Sequence, residues 1–555
     1  MFTFLTRVSQ ASRLRVGLVT AGVSLSVLTA VGLSGNRAAQ AQDGEMETKI
    51  SAPLVVNWKF STSYFPNSLA APAVDATTVY FGQGNRFYAV DKQSGGLKWQ
   101  YPADKSTLTT IITAPPMVSG DGVYFSAADG VYALNAATGK QKWLHFKIDS
   151  GVYTNIVAYN DLLLFGGSNG RLYALNAKTG KAQGAPWASK GAAGIEVGDF
   201  ITDLAVADDL LYFITNDQVL HAFSLVNGSR RWAVRMTGAN IRISTPVVSG
   251  ESLYIAAGNR LLNIRRNNGQ VRWQINLPGD AAAMPTVDPD GNCYLATSNR
   301  NIFAINSQGR GIWRTGAMVD NEILAAPVYS EKLVFVATTL GGVSAFDAAT
   351  GGLRWNYTIQ PTSSNPATIP TINNIAAKPI VANGALYILS DDGAVTAFRG
   401  DLPDTLAPIV TNLNPTQGDY LNGRPPFTVS AKVTDDGSGL KMDTLRLKID
   451  DRTIAARPTG RENQFKPGFY YSPENQTVTY TMQTSTEAGQ SGLADGHHTA
   501  TLSVSDWKGN VTIKAWTFYV DDTIPRRAPR PANTPGGTGR PGAGDKGGGN
   551  GAGGG

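Results

Sequence analysis

The groups able to do chemistry in this chain are few. Its 555 residues hold one cysteine, Cys293, and four histidines, His145, His221, His497 and His498. A lone thiol closes no intrachain disulfide, and no C-x-x-C-H haem attachment run exists. Cys293 sits in the strand-forming run Asn292–Ala296, where a cysteine serves as a small apolar filler. His497 and His498 are adjacent and could ligate a metal. Spacing supplies no third or fourth ligand, so they read as a solvated turn. His145 follows a tryptophan strand and is expected to be exposed. His221 replaces the tyrosine of its sister segments and is expected at the surface of its sheet. The run Asp435-Asp436-Gly437-Ser438-Gly439 offers oxygen ligands of the kind Ca²⁺ takes. Asp and Gly are also what a tight turn demands, and the turn is the favoured reading. The G-x-G of Gly82–Gly84 lies between two strands with no helix to follow, so it is no nucleotide loop. No catalytic, cofactor-binding or metal residue is assigned.

The elements that would have to position such groups are set by tryptophan. Trp58, Trp99, Trp143, Trp187, Trp232, Trp273, Trp313 and Trp355 follow one another at gaps of 41, 44, 44, 45, 41, 40 and 42 residues. A period of that size marks a repeat architecture. Seven copies precede the tryptophan with a strand, a turn and a glycine, as in YALNAATGKQKW (132–143) and SAFDAATGGLRW (344–355). The third copy carries an insertion before Trp187. Each copy divides into a segment opened by proline in most cases (Pro72, Pro115, Pro246, Pro285, Pro327, Pro379), two apolar strands and a third strand carrying the Trp. Four short strands per unit predict a β-propeller blade, with the Trp ring packed between neighbouring blades.

Residues 376–400 supply three strands without a terminal Trp, and 54–60 supply a lone Trp strand. Joining the two completes an eighth blade and removes both open edges. The expectation is an all-β chain: an eight-bladed propeller over 50–401, then a β-sandwich and a tail.

The A-x-[DN]-x-x-T-G-x-x-x-W pattern of Ala133–Trp143 and Ala345–Trp355 resembles the pyrroloquinoline-quinone (PQQ) type repeat. That repeat occurs in quinoprotein dehydrogenases and in the non-enzymatic propeller subunit of the bacterial outer-membrane β-barrel assembly machinery. The resemblance implies the fold and leaves the chemistry open. PQQ dehydrogenases typically hold the quinone against adjacent cysteines with Ca²⁺ nearby, and one cysteine cannot form that pair. No cofactor is expected, with PQQ and Ca²⁺ belonging only to the enzyme alternative.

Arg7, Arg13 and Arg15 precede an apolar run from Val16 to Leu33 and an Ala-Gln-Ala ending at Ala41. Residues 1–41 therefore read as a secretory signal, with an uncleaved anchor as the other reading. No cysteine follows the run, so no lipid anchor is expected, unlike the typical assembly-machinery subunit. The net charge of +6 is misleading: residues 1–41 and 523–555 each contribute +4, which leaves the folded middle at −2. That argues against nucleic acid as a partner. After the linker 401–408, alternating strands over 409–522 with turns at 435–439, 493–496 and 507–510 suggest an immunoglobulin-like sandwich, spanning 402–522 with the linker. Its last strands resemble those of bacterial Ig-like modules on secreted and surface proteins. Residues 523–555, rich in Pro, Arg and Gly, read as a disordered tail.

Recognition is expected on the loops between blades, the longest lying within 359–374. Asp199, Asp203, Arg242, Asp320, Glu322, Asn373 and Asn374 would ring one face. The leading expectation is an extracytoplasmic, monomeric binding or scaffold protein with envelope protein or peptide partners. A wall polymer could engage the sandwich or the tail. The competing expectations are a PQQ-dependent dehydrogenase and a polysaccharide-binding surface protein.

Overall fold

The computed structural model describes residues 49–62, 70–104, 106–112, 114–189, 192–236, 242–361, 373–458, 466–482 and 492–525. The signal segment 1–41, the tail from 526 and the centre of the long loop, 362–372, lie outside the described residues.

Among the described residues, eight four-stranded antiparallel sheets lie between Val55 and Arg399. We number these blades by their inner strands: Ala73–Val74, Met117–Ser119, Val157–Tyr159, Ala205–Ala207, Val247–Ser249, Thr286–Val287, Val328–Ser330 and Ile380–Ala382. The inner strand of blade one touches those of blades two and eight, so the blades close into a β-propeller. Blade eight takes its outer strand, Val55–Ser61, from the start of the described chain, and Trp58 pairs opposite Ala397.

The apolar runs are continuous because each blade is covered on both faces. In Ser252–Ala257 every residue is buried. Leu253 and Ile255 pack with Tyr212 and Ile214 of blade four, whereas Tyr254 packs with Leu295 and Ile305 of blade six. Successive strand residues point to opposite faces, so a sheet between two sheets must be apolar at every position.

The tryptophans weld these interfaces. Trp99 Nε1 donates to Ala136 O at 3.0 Å, Trp143 Nε1 to Ala177 O at 3.0 Å and Trp313 Nε1 to Ala348 O at 2.9 Å, each acceptor lying in the next blade's turn. The turn glycine is needed because a Cβ on Gly139, at φ +69°, would sit 2.6 Å from the Trp99 ring. Two tryptophans depart from the expected outer strand. In blade three a hairpin, Ala188–Ser189 with Ala192–Ala193, follows Trp187, and the outer strand is Ile195–Glu196. In blade six the turn Asn306–Gly309 is one residue short, and the outer strand waits until Ala317–Met318. Trp187 and Trp313 are buried all the same.

From Ile409 onward two further sheets share one core. One has the order Ile409–Asn414, Phe427–Thr434, Thr477–Met482, Tyr470–Ser472; the other runs Tyr420–Leu421, Val511–Val520, Gly496–Asp506, Leu440–Ile449, Arg452–Ile454. Alternate residues such as Val429, Ala431, Leu502, Val504, Trp516 and Phe518 fill it. The short strands Tyr420–Leu421, Arg452–Ile454 and Tyr470–Ser472 have no expected counterpart, since a run of two or three residues carries no alternation to read.

Candidate binding cleft

One face of the ring is built by two kinds of loop. The loop entering each inner strand meets the hairpin between the second and third strands through a recurring backbone bond. Asn216 N donates to Asp199 O at 2.8 Å, Gly258 N to Arg242 O at 2.9 Å, Thr339 N to Glu322 O at 2.8 Å and Asp391 N to Asn374 O at 3.0 Å. This repetition puts Asp199, Arg242, Glu322 and Asn374 on the same face.

They do not act as one set. Asp203 accepts Asn155 N at 2.8 Å while its own N–H donates to Thr245 Oγ1 at 3.1 Å, which ties blades three, four and five together. Burial raises its carboxyl pKa. Asn374 N donates to Asp391 Oδ1 at 2.8 Å and serves the loop. Arg242 is exposed.

Asp320 and Glu322, by contrast, line a cleft of about 930 Å³ between blades six and seven and the sandwich. Arg300, Tyr357 and Gln360 join them from the propeller, and Met442, Arg457, Tyr470 and Tyr471 from the sandwich. Several contacts hold its form. Arg300 Nη1 donates to Asp320 O at 2.7 Å, Gln360 Nε2 crosses to Pro473 O at 3.1 Å, and the Arg457 guanidinium lies 4.5 Å over the Tyr470 ring. Burial pushes the Tyr357 and Tyr471 phenols up, so both stay neutral donors. Tyr470 keeps 40% of its surface exposed and open to a partner. Asn373, 2% exposed, lines a small pocket with Leu340, Gln360, Pro473 and Glu474, residues that also line the cleft, and its Oδ1 has no hydrogen-bond partner among the described residues. The lining divides about evenly between apolar or aromatic side chains and polar or charged ones, a mixed surface of the kind protein interfaces present. The sequence pointed to Asp320, Glu322 and Asn373 through their loops and missed the sandwich wall altogether.

Among the described residues, Asp404, Asp435 and Asp506 form the one cluster of three metal-capable groups, their oxygens within 4.8 Å of one another. The donors are hard oxygens, as Ca²⁺ takes. Each also has a structural task. Asp435 Oδ2 accepts Gly439 N at 2.6 Å and Gly437 N at 3.2 Å, Asp404 Oδ2 accepts Ser438 N at 2.7 Å, and Asp506 is capped by Asn510. Burial, with Asp404 and Asp506 beside it, pushes the Asp435 carboxyl up to about 6. A carboxyl raised in the folded state holds its proton there more tightly than when unfolded. Stability therefore falls as pH rises from about 4 towards 6 and is level above that. Asp435→Asn keeps the acceptor and removes the charge. It is expected to stabilise the protein by about 1 kcal/mol at pH 7.5, after allowing for solvent screening, and by nothing at pH 4. Thermal melts of both proteins across that range check the sign.

The remaining reactive groups are spent on structure. Cys293 has no exposed surface, and burial pushes its thiol up, away from the reactive thiolate. His221, expected at the sheet surface, is 5% exposed, with Nε2 2.9 Å from Thr215 Oγ1. Both faces of a blade are buried, so side-chain parity gives no outward position there. His145 is also less open than expected, stacked on Tyr132 with ring centroids 4.6 Å apart. His498 is 9% exposed, its Nδ1 2.8 Å from Asp450 Oδ2 and its Nε2 2.7 Å from Ala494 O, while His497 is exposed.

Against known proteins, the family described as "Outer membrane protein assembly factor BamB" matches residues 24–274 and 194–311, more than half of the chain. The chain is 22% identical over 205 residues to tetrathionate hydrolase of Acidithiobacillus ferrooxidans, covering 32% of this chain and 40% of that protein. It is 32% identical over 115 residues to the outer membrane protein assembly factor BamB of Burkholderia pseudomallei, covering 20% of this chain and 29% of the relative. The chain thus spans well under half the length of these curated relatives. The crystal structure of BamB from Moraxella catarrhalis superposes with a TM-score of 0.49 at 17% identity, over 62% of this chain and 99% of that one.

Proposed function

Because the chain belongs to the BamB family of outer membrane protein assembly factors, we propose that it is an extracytoplasmic, non-enzymatic binding protein whose propeller serves as a rigid platform for protein partners. The observation that carries this reading is the cleft. It joins the loop face of the ring to a second domain, and its lining mixes Tyr357, Tyr470 and Tyr471 with Asp320, Glu322 and two arginines. Aromatic anchors and arginines in a concave site are what protein recognition uses most. The arginine-bearing, apolar N-terminus with its Ala-Gln-Ala ending supports export. Once a partner is in hand, Tyr470→Ala is expected to weaken its binding by tenfold or more without changing the melting temperature. Leu144→Ala, on the outside of blade two at 82% exposure, is expected to change nothing. Equal losses from both variants would move recognition off the cleft.

The likeness to tetrathionate hydrolase favours an enzymatic reading as the second. Our reading needs neither PQQ nor Ca²⁺. Protein mixed with both is expected to show no quinone absorbance shift and no dye reduction with alcohols. With tetrathionate it is expected to release no thiosulfate. Turnover in either assay would replace the platform with an enzyme.

A further inference from the structure

At six junctions of the ring, an indole N–H from one blade reaches a carbonyl in the next blade's turn. Trp58 donates to Lys92 O at 2.9 Å, Trp232 to Arg266 O at 3.1 Å and Trp273 to Ser307 O at 2.8 Å, in the manner of Trp99, Trp143 and Trp313. Blade eight cannot supply such a turn to blade seven. Its third strand ends at Arg399, and its outer strand, Val55–Ser61, comes from the other end of the chain, so no turn joins them. Trp355 of blade seven has no exposed surface, and an unpaired buried N–H there would be costly.

Trp355 Nε1 donates instead to Ser438 O at 2.8 Å, in the sandwich. The segment that supplies this carbonyl, Asp435-Asp436-Gly437-Ser438-Gly439, has the D-x-x-[ST]-G pattern of the blade turns Asp91–Gly95 and Asp347–Gly351. Its hydrogen bonding follows only in part, because Ser438 N turns to Asp404 Oδ2, and Gly439 N donates to the Asp435 side chain where Gly95 N and Gly351 N donate to the aspartate's own carbonyl. Asp91 Oδ1 accepts Gln93 N and Ser94 N, Asp347 Oδ1 accepts Ala349 N and Thr350 N, and Asp435 Oδ2 accepts Gly437 N and Gly439 N. The closing glycines have φ of +69°, +75° and +87°. The fit differs in detail: the accepting carbonyl is three residues after the aspartate instead of one, and Gly439 lies against Tyr357 instead of the tryptophan. The same turn also grips the closing strand, since Val56 N donates to Gly437 O at 3.2 Å. Trp507 Nε1 to Asn356 Oδ1 at 2.9 Å and Lys508 Nζ to Gly400 O at 3.0 Å complete the seam.

We propose that Trp355 and the closing strand form a turn-accepting surface, and that its occupant is this chain's own Asp435–Gly439 turn, standing in for the turn that blade eight lacks. The sandwich is then a working part of ring closure, and the cleft owes its fixed width to this seam.

Hydrogen exchange on the full-length protein tests this. In Gly439→Val the new side chain meets the Tyr357 ring, where a Cβ alone would lie at 2.8 Å, at a φ that valine resists. Amides of Val55–Ser61 and Ala394–Arg399 are expected to exchange at least tenfold faster. Those of blade three and of Gly496–Asp506 are expected to stay as they were. Trp355→Phe keeps a ring and removes only the N–H; it is expected to act in the same direction by a smaller factor, and it decides the matter if Gly439→Val does not fold. Unchanged exchange in the closing strand, or an equal acceleration in every blade, would overturn the proposal.

Discussion

Deleting residues 49–62 is expected to make the chain aggregate. That segment carries Ile50, Leu54, Val55 and Trp58, all buried, and its strand covers the edge of Ala394–Arg399. Each large apolar side chain buried contributes about 1.5–3 kcal/mol, so losing three or four of them removes much of the roughly 5–15 kcal/mol that holds a typical domain together. The uncovered strand would also present unpaired N–H and C=O groups to other copies of the chain. Size-exclusion chromatography of the refolded variant checks both effects. A monomer that melts like the parent would mean that the first strand does not close the ring.

Trp355→Ala should be the most damaging single substitution among the blade tryptophans. Its side chain has no exposed surface, whereas Trp99, Trp232 and Trp273 keep part of theirs. Removing a buried aromatic costs about 3–5 kcal/mol through lost burial and the cavity left behind. The carbonyl of Ser438, itself fully buried, would lose its donor at a further cost of about 1–3 kcal/mol. Trp232→Ala is expected to cost less than half as much. Equilibrium denaturation in urea orders the two, and a loss of under about 1 kcal/mol for Trp355→Ala would deny Trp355 its place at the junction.

What the sequence revealed tracks how tightly each residue type is constrained. The blades were legible because a turn pressed on an indole ring admits only glycine, as at Gly139 over Trp99, and that requirement recurs in most copies. Asp320 and Glu322 could be picked out because they belong to loops of known place in the repeat. Arg457 and Tyr470 could not, because they stand on or beside strands of three residues, brought to the propeller by contacts distant in sequence. His221 was misjudged for a different reason: in a sheet covered on both sides, no position is marked as outward. The Asp435–Gly439 run was visible as a turn. Its kinship with the blade turns was hidden because it comes after the tryptophan period has ended, and the Trp355–Ser438 bond is what brings the two together.

Partner binding in the cleft is the proposal that most needs a direct test. A photo-crosslinking side chain placed at Tyr470, at Glu322 and at Leu144, each in the full-length protein expressed in its native cells, measures that directly. The same discrete protein adduct is expected from Tyr470 and Glu322, and none from Leu144. An adduct from Leu144 alone, or no protein adduct from either cleft position, would contradict it.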